Sequence, residues 1–331
     1  MRVYSVAVVG ATGLVGRKMI QVLEERHFPV GELIPLASKN SLGKSVNYNG
    51  KLLPVRELTQ ESFKGVDIAL FSAGATVSKE FANASVNAGT LMIDNSSAFR
   101  MTDGVPLVVP EVNPQEIFKH KGIIANPNCS TIQMVVAIKP LHDRWRIKRV
   151  IVSTYQSVTG AGKKAVDQLI GELAKDTSVA MKFPHPIAYN ALPQVDVFLD
   201  DGYTKEERKM VDETRKILGD QSIKVTATCV RIPAVGGHSE SVNLEFEKPF
   251  TLDEVRSVLQ ASRGICVQDD VRQNMYPMPI LAHERDEVFV GRIRRDETVG
   301  NGLNLWIVSD NLRKGAATNA VQIAEVWIAG K

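Results

Sequence analysis

An apolar run, Val3-Tyr4-Ser5-Val6-Ala7-Val8-Val9, ends in Gly10-Ala11-Thr12-Gly13-Leu14-Val15-Gly16. Beyond the glycines, Met19, Ile20, Val22 and Leu23 recur at helical spacing. A buried strand that turns on three glycines into a helix leaves few folds open. The pattern then repeats. Strand-like segments are Glu32 to Ala37, Ile68 to Phe71, Leu91 to Ile93 and Ile123 to Ala125, with a helix over Phe81 to Ala88. Strands alternating with helices form a parallel sheet covered on both faces.

Past about residue 130 the character changes. Val150 to Tyr155, Lys224 to Val230, Ser241 to Phe246 and Leu303 to Val308 are longer strands, several of them alternating as half-exposed antiparallel strands do. Lys205 to Leu218 and Leu252 to Ala261 have helical spacing. The expectation is an α/β protein. A Rossmann-type dinucleotide-binding domain over residues 1–130 is completed by a C-terminal helix over 312–331. A second, α+β domain with a largely antiparallel sheet spans 131–311. A length of 331 residues accommodates two domains.

Composition removes several classes of function. Forty basic against 37 acidic residues leave a net charge of +3, too balanced to argue for nucleic acid or an anionic membrane. No apolar run reaches the length of a membrane span, and the N-terminal run ends in a glycine turn rather than a cleavage pattern. The three cysteines, Cys129, Cys229 and Cys266, are far apart. They suggest neither a disulfide framework nor a metal site, and a cytoplasmic location fits.

The glycine turn suits a dinucleotide. Glycines let the backbone approach a pyrophosphate, and a helix N-terminus supplies free N–H groups. An NAD site usually has a carboxylate at the end of the second strand. Here Ser38-Lys39-Asn40-Ser41 offers hydroxyls, an amide and a lysine instead, which suits the 2′-phosphate of NADP.

Between two apolar runs lies Ala125-Asn126-Pro127-Asn128-Cys129-Ser130-Thr131. It predicts strand, sharp turn and helix, with Cys129 at the helix start. There the helix dipole favours a thiolate, and a thiolate can carry an acyl group as a thioester. Cys229 and Cys266 sit in strand patterns and are expected to be inert core residues. Of six histidines, His27, His120, His142 and His283 lie among charged residues and are expected at the surface. His185 lies between two prolines, and His238 in a loop shaped by Pro233, Gly236 and Gly237.

Six segments together resemble the bacterial aspartate-semialdehyde dehydrogenase family over essentially the whole chain. They are Gly10-Ala-Thr-Gly-Leu-Val-Gly16, Asp94-Asn-Ser-Ser-Ala-Phe-Arg100, Asn126-Pro-Asn-Cys-Ser-Thr131, Tyr155-Gln-Ser-Val-Thr-Gly160, Arg231 to Ser239, and Asp310-Asn311. The resemblance implies NADP-dependent conversion of 4-phospho-L-aspartate to L-aspartate 4-semialdehyde, with release of inorganic phosphate, in lysine, threonine and methionine biosynthesis. It implies a homodimer or a homotetramer, with residues 131–311 as the catalytic and dimerisation domain. It makes Cys129 the nucleophile, His238 the acid/base and Gln156 the residue that positions the acyl group. Arg231 would grip the substrate α-carboxylate, Glu206 the amino group, and Arg100, Lys209 and Asn128 the phosphate and its surroundings. Gly10, Thr12, Gly13, Leu14, Val15, Ser38, Asn40, Ser41, Ser72, Thr159, Gly160 and Asn311 would contact NADP. No metal is implied. The nearest alternative is the related N-acetyl-gamma-glutamyl-phosphate reductase. A redox regulator that binds NADP without turnover is a non-enzymatic one, and a cysteine hydrolase is disfavoured by the dinucleotide turn.

Overall fold

The computed structural model describes residues 2–330; Met1 and Lys331, which close the expected ranges 1–130 and 312–331, lie outside them. Two compact units divide the chain. One runs to Asn128 and resumes at Ala316, and the other is Cys129–Gly315. The expected division lay just after residue 130, and the observed one falls between Asn128 and Cys129.

The first unit contains strands β1 (Tyr4–Val9), β2 (Val30–Ala37), β3 (Ser45–Tyr48), β4 (Lys51–Pro54), β5 (Arg56–Glu57), β6 (Ile68–Phe71), β7 (Leu91–Asp94) and β8 (Ile123–Ala125), with helices α1 (Leu14–Glu25) and α2 (Ala75–Asn87). Among the described residues six strands form one sheet in the order β5-β2-β1-β6-β7-β8, every neighbouring pair parallel. Along β1, Val6 and Val8 pack into one core while Ala7 and Val9 pack into another. That is the period-two signature of a sheet buried on both faces. The first core includes Met19 and Leu23 of α1. It also takes in Ala320, Val321, Ala324 and Trp327 of the terminal helix Thr318–Ala329, so the end of the chain completes this unit.

The second unit holds α3 (Cys129–Trp145), β9 (Ile147–Gln156), α4 (Lys163–Leu173), α5 (Lys205–Leu218), β10 (Lys224–Arg231), β11 (His238–Phe246), α6 (Leu252–Ala261), β12 (Ile265–Val267), β13 (Val288–Asp296) and β14 (Gly302–Ser309). Its described strands make a six-stranded mixed sheet, β10-β9-β11-β14-β13-β12. The inner pairings β9–β11, β11–β14 and β13–β14 are antiparallel; β10–β9 and β12–β13 are parallel. Helix α5 starts with a reciprocal cap. The Thr204 hydroxyl accepts from Glu207 N–H at 3.3 Å, and the Glu207 carboxylate accepts from Thr204 N–H at 2.6 Å. Gly219, at φ 68°, ends the helix. α3 packs against α5 and β11, and α5 against β10, on one side of the sheet. Strand alternation therefore turns His238, Glu240, Val242, Leu244 and Phe246 of β11 inward, and all are buried.

No helix among the described residues is long and apolar enough to cross a membrane.

Candidate functional site

In the first unit β1 runs straight into the glycine turn. Gly10 has φ 85°, and a Cβ there would lie 3.0 Å from the Ser72 carbonyl. Only glycine fits both conditions. Gly13 precedes α1 with no side chain bonded to the helix's first N–H groups. A helix start without a side-chain cap, on a strand that ends in glycine, is what a pyrophosphate needs. Thr12 Oγ1 is 3.2 Å from Ser41 Oγ, which brings the loop after β2 beside the turn. Ser38, Lys39 and Asn40 are exposed there, and no carboxylate stands among them. Leu14 and Val15 open the helix half-buried, and the Ser72 hydroxyl donates to the Val9 carbonyl at 3.1 Å. These residues fit a dinucleotide.

The turn that carries Asn126 to Asn128 is built from amide pairs. Asn126 Nδ2 donates to Asn95 Oδ1 at 2.7 Å, and Asn319 Nδ2 donates to Asn126 Oδ1 at 2.7 Å. The buried Arg100 guanidinium donates to the Asn126 carbonyl at 3.0 Å and the Asn95 carbonyl at 2.9 Å. Buried Asp94 accepts from Ser78 and Ser96, so the Asp94-Asn-Ser-Ser motif braces the same region. Asn128 is buried at the end of the turn.

In the second unit Cys129 is the first residue of α3, half-buried. The first turn of α3 reaches two other elements: Gln156 Nε2 donates to Ser130 Oγ at 3.0 Å, and Gln133 Nε2 to the His238 carbonyl at 3.4 Å. Gln156 Nε2 also donates to Glu206 Oε1 at 3.0 Å, while Lys209 Nζ donates to Glu206 Oε2 at 3.0 Å and to Asp196 at 2.8 Å. Arg231 closes β10, 5% exposed, and its Nη1 donates to the Ser157 carbonyl at 2.6 Å. Its Nε and the Gln156 Oε1 are buried without a protein partner, as is His238 Nε2. Three unmatched polar atoms on neighbouring site residues point to a polar ligand, because such atoms are costly to leave unpaired. Thr159, Gly160 and Asn311 lie alongside. Thr159 donates to Asn311 at 2.9 Å, and a Cβ on Gly160 would come 3.0 Å from Arg231 Nη1 and 3.1 Å from His238 Nε2.

The electrostatics follow from burial and these neighbours. Burial pulls the Arg231 guanidinium below its ordinary value, opposed by Glu206 and Cys129. Burial likewise works against Lys209, but Glu206 and Asp196 outweigh it and hold the ammonium above its usual value. Burial, then the charge of Arg231, drives His238 down to about 3. Burial pushes the Glu240 carboxyl well above the usual range, opposed by Gln133. Cys229 is buried and its thiol is pushed up by desolvation, which suits an inert residue.

The depressed His238 value has a sign that can be checked. The unfolded imidazole takes its proton near pH 6.5 and the folded one only near 3, so the contribution to stability is full above 6.5 and is lost as pH falls. Its slope is about 1.4 kcal/mol per pH unit. Denaturant unfolding between pH 6.5 and about 4.5, above most carboxylate titrations, should show that decline in the wild type and a flatter curve in His238→Gln. Equal slopes would mean that His238 is not held neutral by the fold.

The structure corrects several sequence readings. His238 is not in a loop but is the first residue of β11, paired with Ser309 of β14. The preceding Pro and Gly residues end at Gly237, and backbone pairing takes over one residue later. His142 and His120 are half-buried rather than fully at the surface. His142 Nδ1 accepts from Ile147 N–H, and His120 Nδ1 lies 3.0 Å from Gly122 N–H with its ring edge-on to Trp327. Cys266 is half-buried, not core. Sequence reasoning also missed Ser130 and Gln133, one and four residues after Cys129, where helical spacing could have flagged them. Gly315 was missed as well: a Cβ there would lie 2.9 Å from Cys129 Cβ.

Comparison with known proteins agrees with this division. A family described as "Semialdehyde dehydrogenase, NAD binding domain" matches residues 5–120, and "Semialdehyde dehydrogenase, dimerisation domain" matches 138–314. The aspartate-semialdehyde dehydrogenase of Aquifex aeolicus is 59% identical, covering 98% of each chain, and that of Bacillus subtilis is 50% identical, covering 97% of this chain and 96% of its own. The Vibrio cholerae aspartate semialdehyde dehydrogenase II, solved "complexed with ASA", superposes with a TM-score of 0.95 at 47% identity over 99% of both chains. A Candida albicans relative solved "with NADP" has a TM-score of 0.79 at 26% identity over 99% of both chains. The chain belongs to the aspartate-semialdehyde dehydrogenase family, oxidoreductases of amino-acid biosynthesis with a NAD(P)-binding domain and a dimerisation domain.

Proposed function

We propose that the chain catalyses the reversible, NADP-dependent reductive dephosphorylation of 4-phospho-L-aspartate to L-aspartate 4-semialdehyde through a thioester on Cys129. The observation that carries the reading is the set of groups around the start of α3: a cysteine at a helix N-terminus, a buried arginine that acts on it electrostatically, and an amide bridging Ser130 and Glu206. Each suits a part of that substrate. Arg231 offers a guanidinium fork to the α-carboxylate. Glu206, whose oxygens accept from Gln156 and Lys209, takes the ammonium. Lys209, Arg100 and Asn128 serve the phosphate. Gln156 positions the acyl group, and His238 serves its oxygen. The "ASA" of the Vibrio cholerae structure supports the substrate, and the Candida albicans complex supports NADP.

Cys129 attacks the acyl carbon and phosphate leaves with its bonding pair. The bound nicotinamide supplies the hydride. Gly10, Thr12, Gly13, Leu14 and Val15 hold the pyrophosphate end, Ser38, Asn40 and Ser41 the 2′-phosphate, and Ser72, Thr159, Gly160 and Asn311 complete the contacts. A homodimer, or a homotetramer, and a cytoplasmic setting belong to the same reading. The test is NADP reduction with L-aspartate 4-semialdehyde. The rate should require phosphate. A rate confined to the N-acetylglutamate analogue would hand the reaction to the other reductase.

The exposed loop after β2 gives a further expectation. Ser38→Asp should move the NADP/NAD ratio of kcat/KM toward NAD by roughly tenfold or more, because a carboxylate repels the 2′-phosphate and accepts from a ribose hydroxyl. An unmoved ratio would show that this loop does not read the phosphate.

A further inference from the structure

Helices α5 and α6 both open on a threonine cap closed by a glutamate three residues on, and the two glutamates differ. In α6 Glu254 is half-buried. Its Oε2 accepts from Thr251 N–H at 2.9 Å, and its Oε1 faces Arg144 at 3.5 Å. In α5 Glu207 is 8% exposed, and its two oxygens serve different elements. Oε2 accepts from Thr204 N–H at 2.6 Å and closes the cap, while Oε1 accepts from Cys229 N–H of β10 at 3.0 Å. A helix cap needs the first bond and has no use for the second.

The strand does have a use for it. Among the described residues β10 is an outermost strand of its sheet, so the N–H groups on its free edge need partners from outside the ladder. Cys229 N–H goes to Glu207. Arg231 N–H goes to the Leu192 carbonyl at 2.8 Å, and the Arg231 carbonyl accepts from Leu192 N–H at 2.9 Å. Glu207 thus ties the first turn of α5 to β10 two residues before Arg231.

The residue before Glu207 is Glu206. Its carboxylate is held by Gln156 and Lys209, and the Arg231 guanidinium is held by the Ser157 carbonyl. With both side chains pinned, their separation follows from where α5 sits on β10. The hydrophobic effect that packs α5 on β10 is non-directional, whereas a hydrogen bond has a fixed length and direction. Gln156, paired with Arg231 across β9 and β10, also reaches Glu206, but both of these side chains face the substrate in the proposed function. Glu207 has no part in that set and is free to hold.

We propose that Glu207 is a positioning residue: its clasp on Cys229 N–H fixes the separation between Glu206 and Arg231. The proposal rests on the function proposed above, in which Glu206 takes the ammonium and Arg231 the α-carboxylate. One carbon carries both groups, so the two side chains must meet them at one separation, and a small displacement is costly in rate.

The clasp and its consequence are read separately. Glutamine serves as well as glutamate in the cap, so Glu207→Gln can keep the bond to Thr204 N–H while its NH2 meets Cys229 N–H donor against donor. Glu207→Ala removes both acceptors. The Cys229 amide should exchange its hydrogen about tenfold faster or more in Glu207→Ala and in Glu207→Gln, the loss of roughly one net hydrogen bond. It should be unchanged in Glu254→Gln, which alters the matching cap of α6. Wild-type protection of Cys229 in Glu207→Ala would overturn the proposal. With L-aspartate 4-semialdehyde, Glu207→Gln should lower kcat/KM about tenfold, mainly through the KM of the aldehyde, with the KM of NADP unchanged. In a Glu206→Ala background the same substitution should cost about twofold or less, because the side chain it positions is gone. Equal losses in the two backgrounds would make Glu207 a purely structural residue and overturn its positioning role, as would wild-type kinetics in both Glu207 variants. Hydrogen exchange needs no turnover. An inactive wild type would sink the proposed function, whereas an inert Glu207 in an active enzyme would sink the clasp alone.

Discussion

Replacing Cys129 by alanine is expected to remove turnover, by at least ~10³-fold in kcat, while NADP still binds. Cys129 brings the one thiol among the described residues at the start of α3, and an alanine methyl has no nucleophile to replace it. Cys129→Ser should be nearly as inactive, because a serine hydroxyl stays protonated where a thiol ionises. Cofactor affinity should be kept in both variants, since Gly10 to Val15 and Ser38 to Ser41 belong to the unit before Asn128. Steady-state NADP reduction and nicotinamide fluorescence titration measure the two halves separately. A Cys129→Ala protein that kept a tenth of the wild-type rate would rule out the thioester.

Arg231→Leu is expected to lower kcat/KM by roughly 30- to several-thousand-fold, the consequence of losing about 2–5 kcal/mol when a carboxylate is left without its charged partner in a closed site. Arg231 is buried at the end of β10 rather than placed there as a surface charge. Its Nη1 is already engaged by the Ser157 carbonyl, and the buried Nε has no protein partner, so part of the fork is left for a ligand. Arg231→Lys should recover only a fraction, because an ammonium cannot reproduce two parallel bonds. The variants should separate further. Leucine also removes the donor that holds Ser157, and hence the Nδ1 contact of His238, so its loss should appear in kcat as well as KM. Near-wild-type kinetics in both variants would remove Arg231 from the site.

The places of Gly10 and Cys129 were legible in the sequence because they are set locally. A glycine required by a positive φ after a strand, and a cysteine placed at the first residue of a helix by Pro127 and Asn128, are set by neighbours a few residues away. The same holds for α5 and α6, whose Thr caps and glutamates three residues later define their starts. The parallel sheet was legible because burial on both faces leaves continuous apolar runs.

The surroundings of His238 were decided elsewhere. Its place on a strand comes from pairing with Ser309, and a run of Pro and Gly just before it hid that pairing. Its Nδ1 faces the Ser157 backbone N–H, a group every residue but proline carries, so no side-chain pattern could announce it. The Gln156–Glu206–Lys209 chain joins a strand end to a helix, and the tight fit of Gly315 against Cys129 depends on a residue near the opposite end of its unit. Local sequence set which groups were available. Sheet pairing and packing, which act between residues far apart in the chain, set which of them face one another.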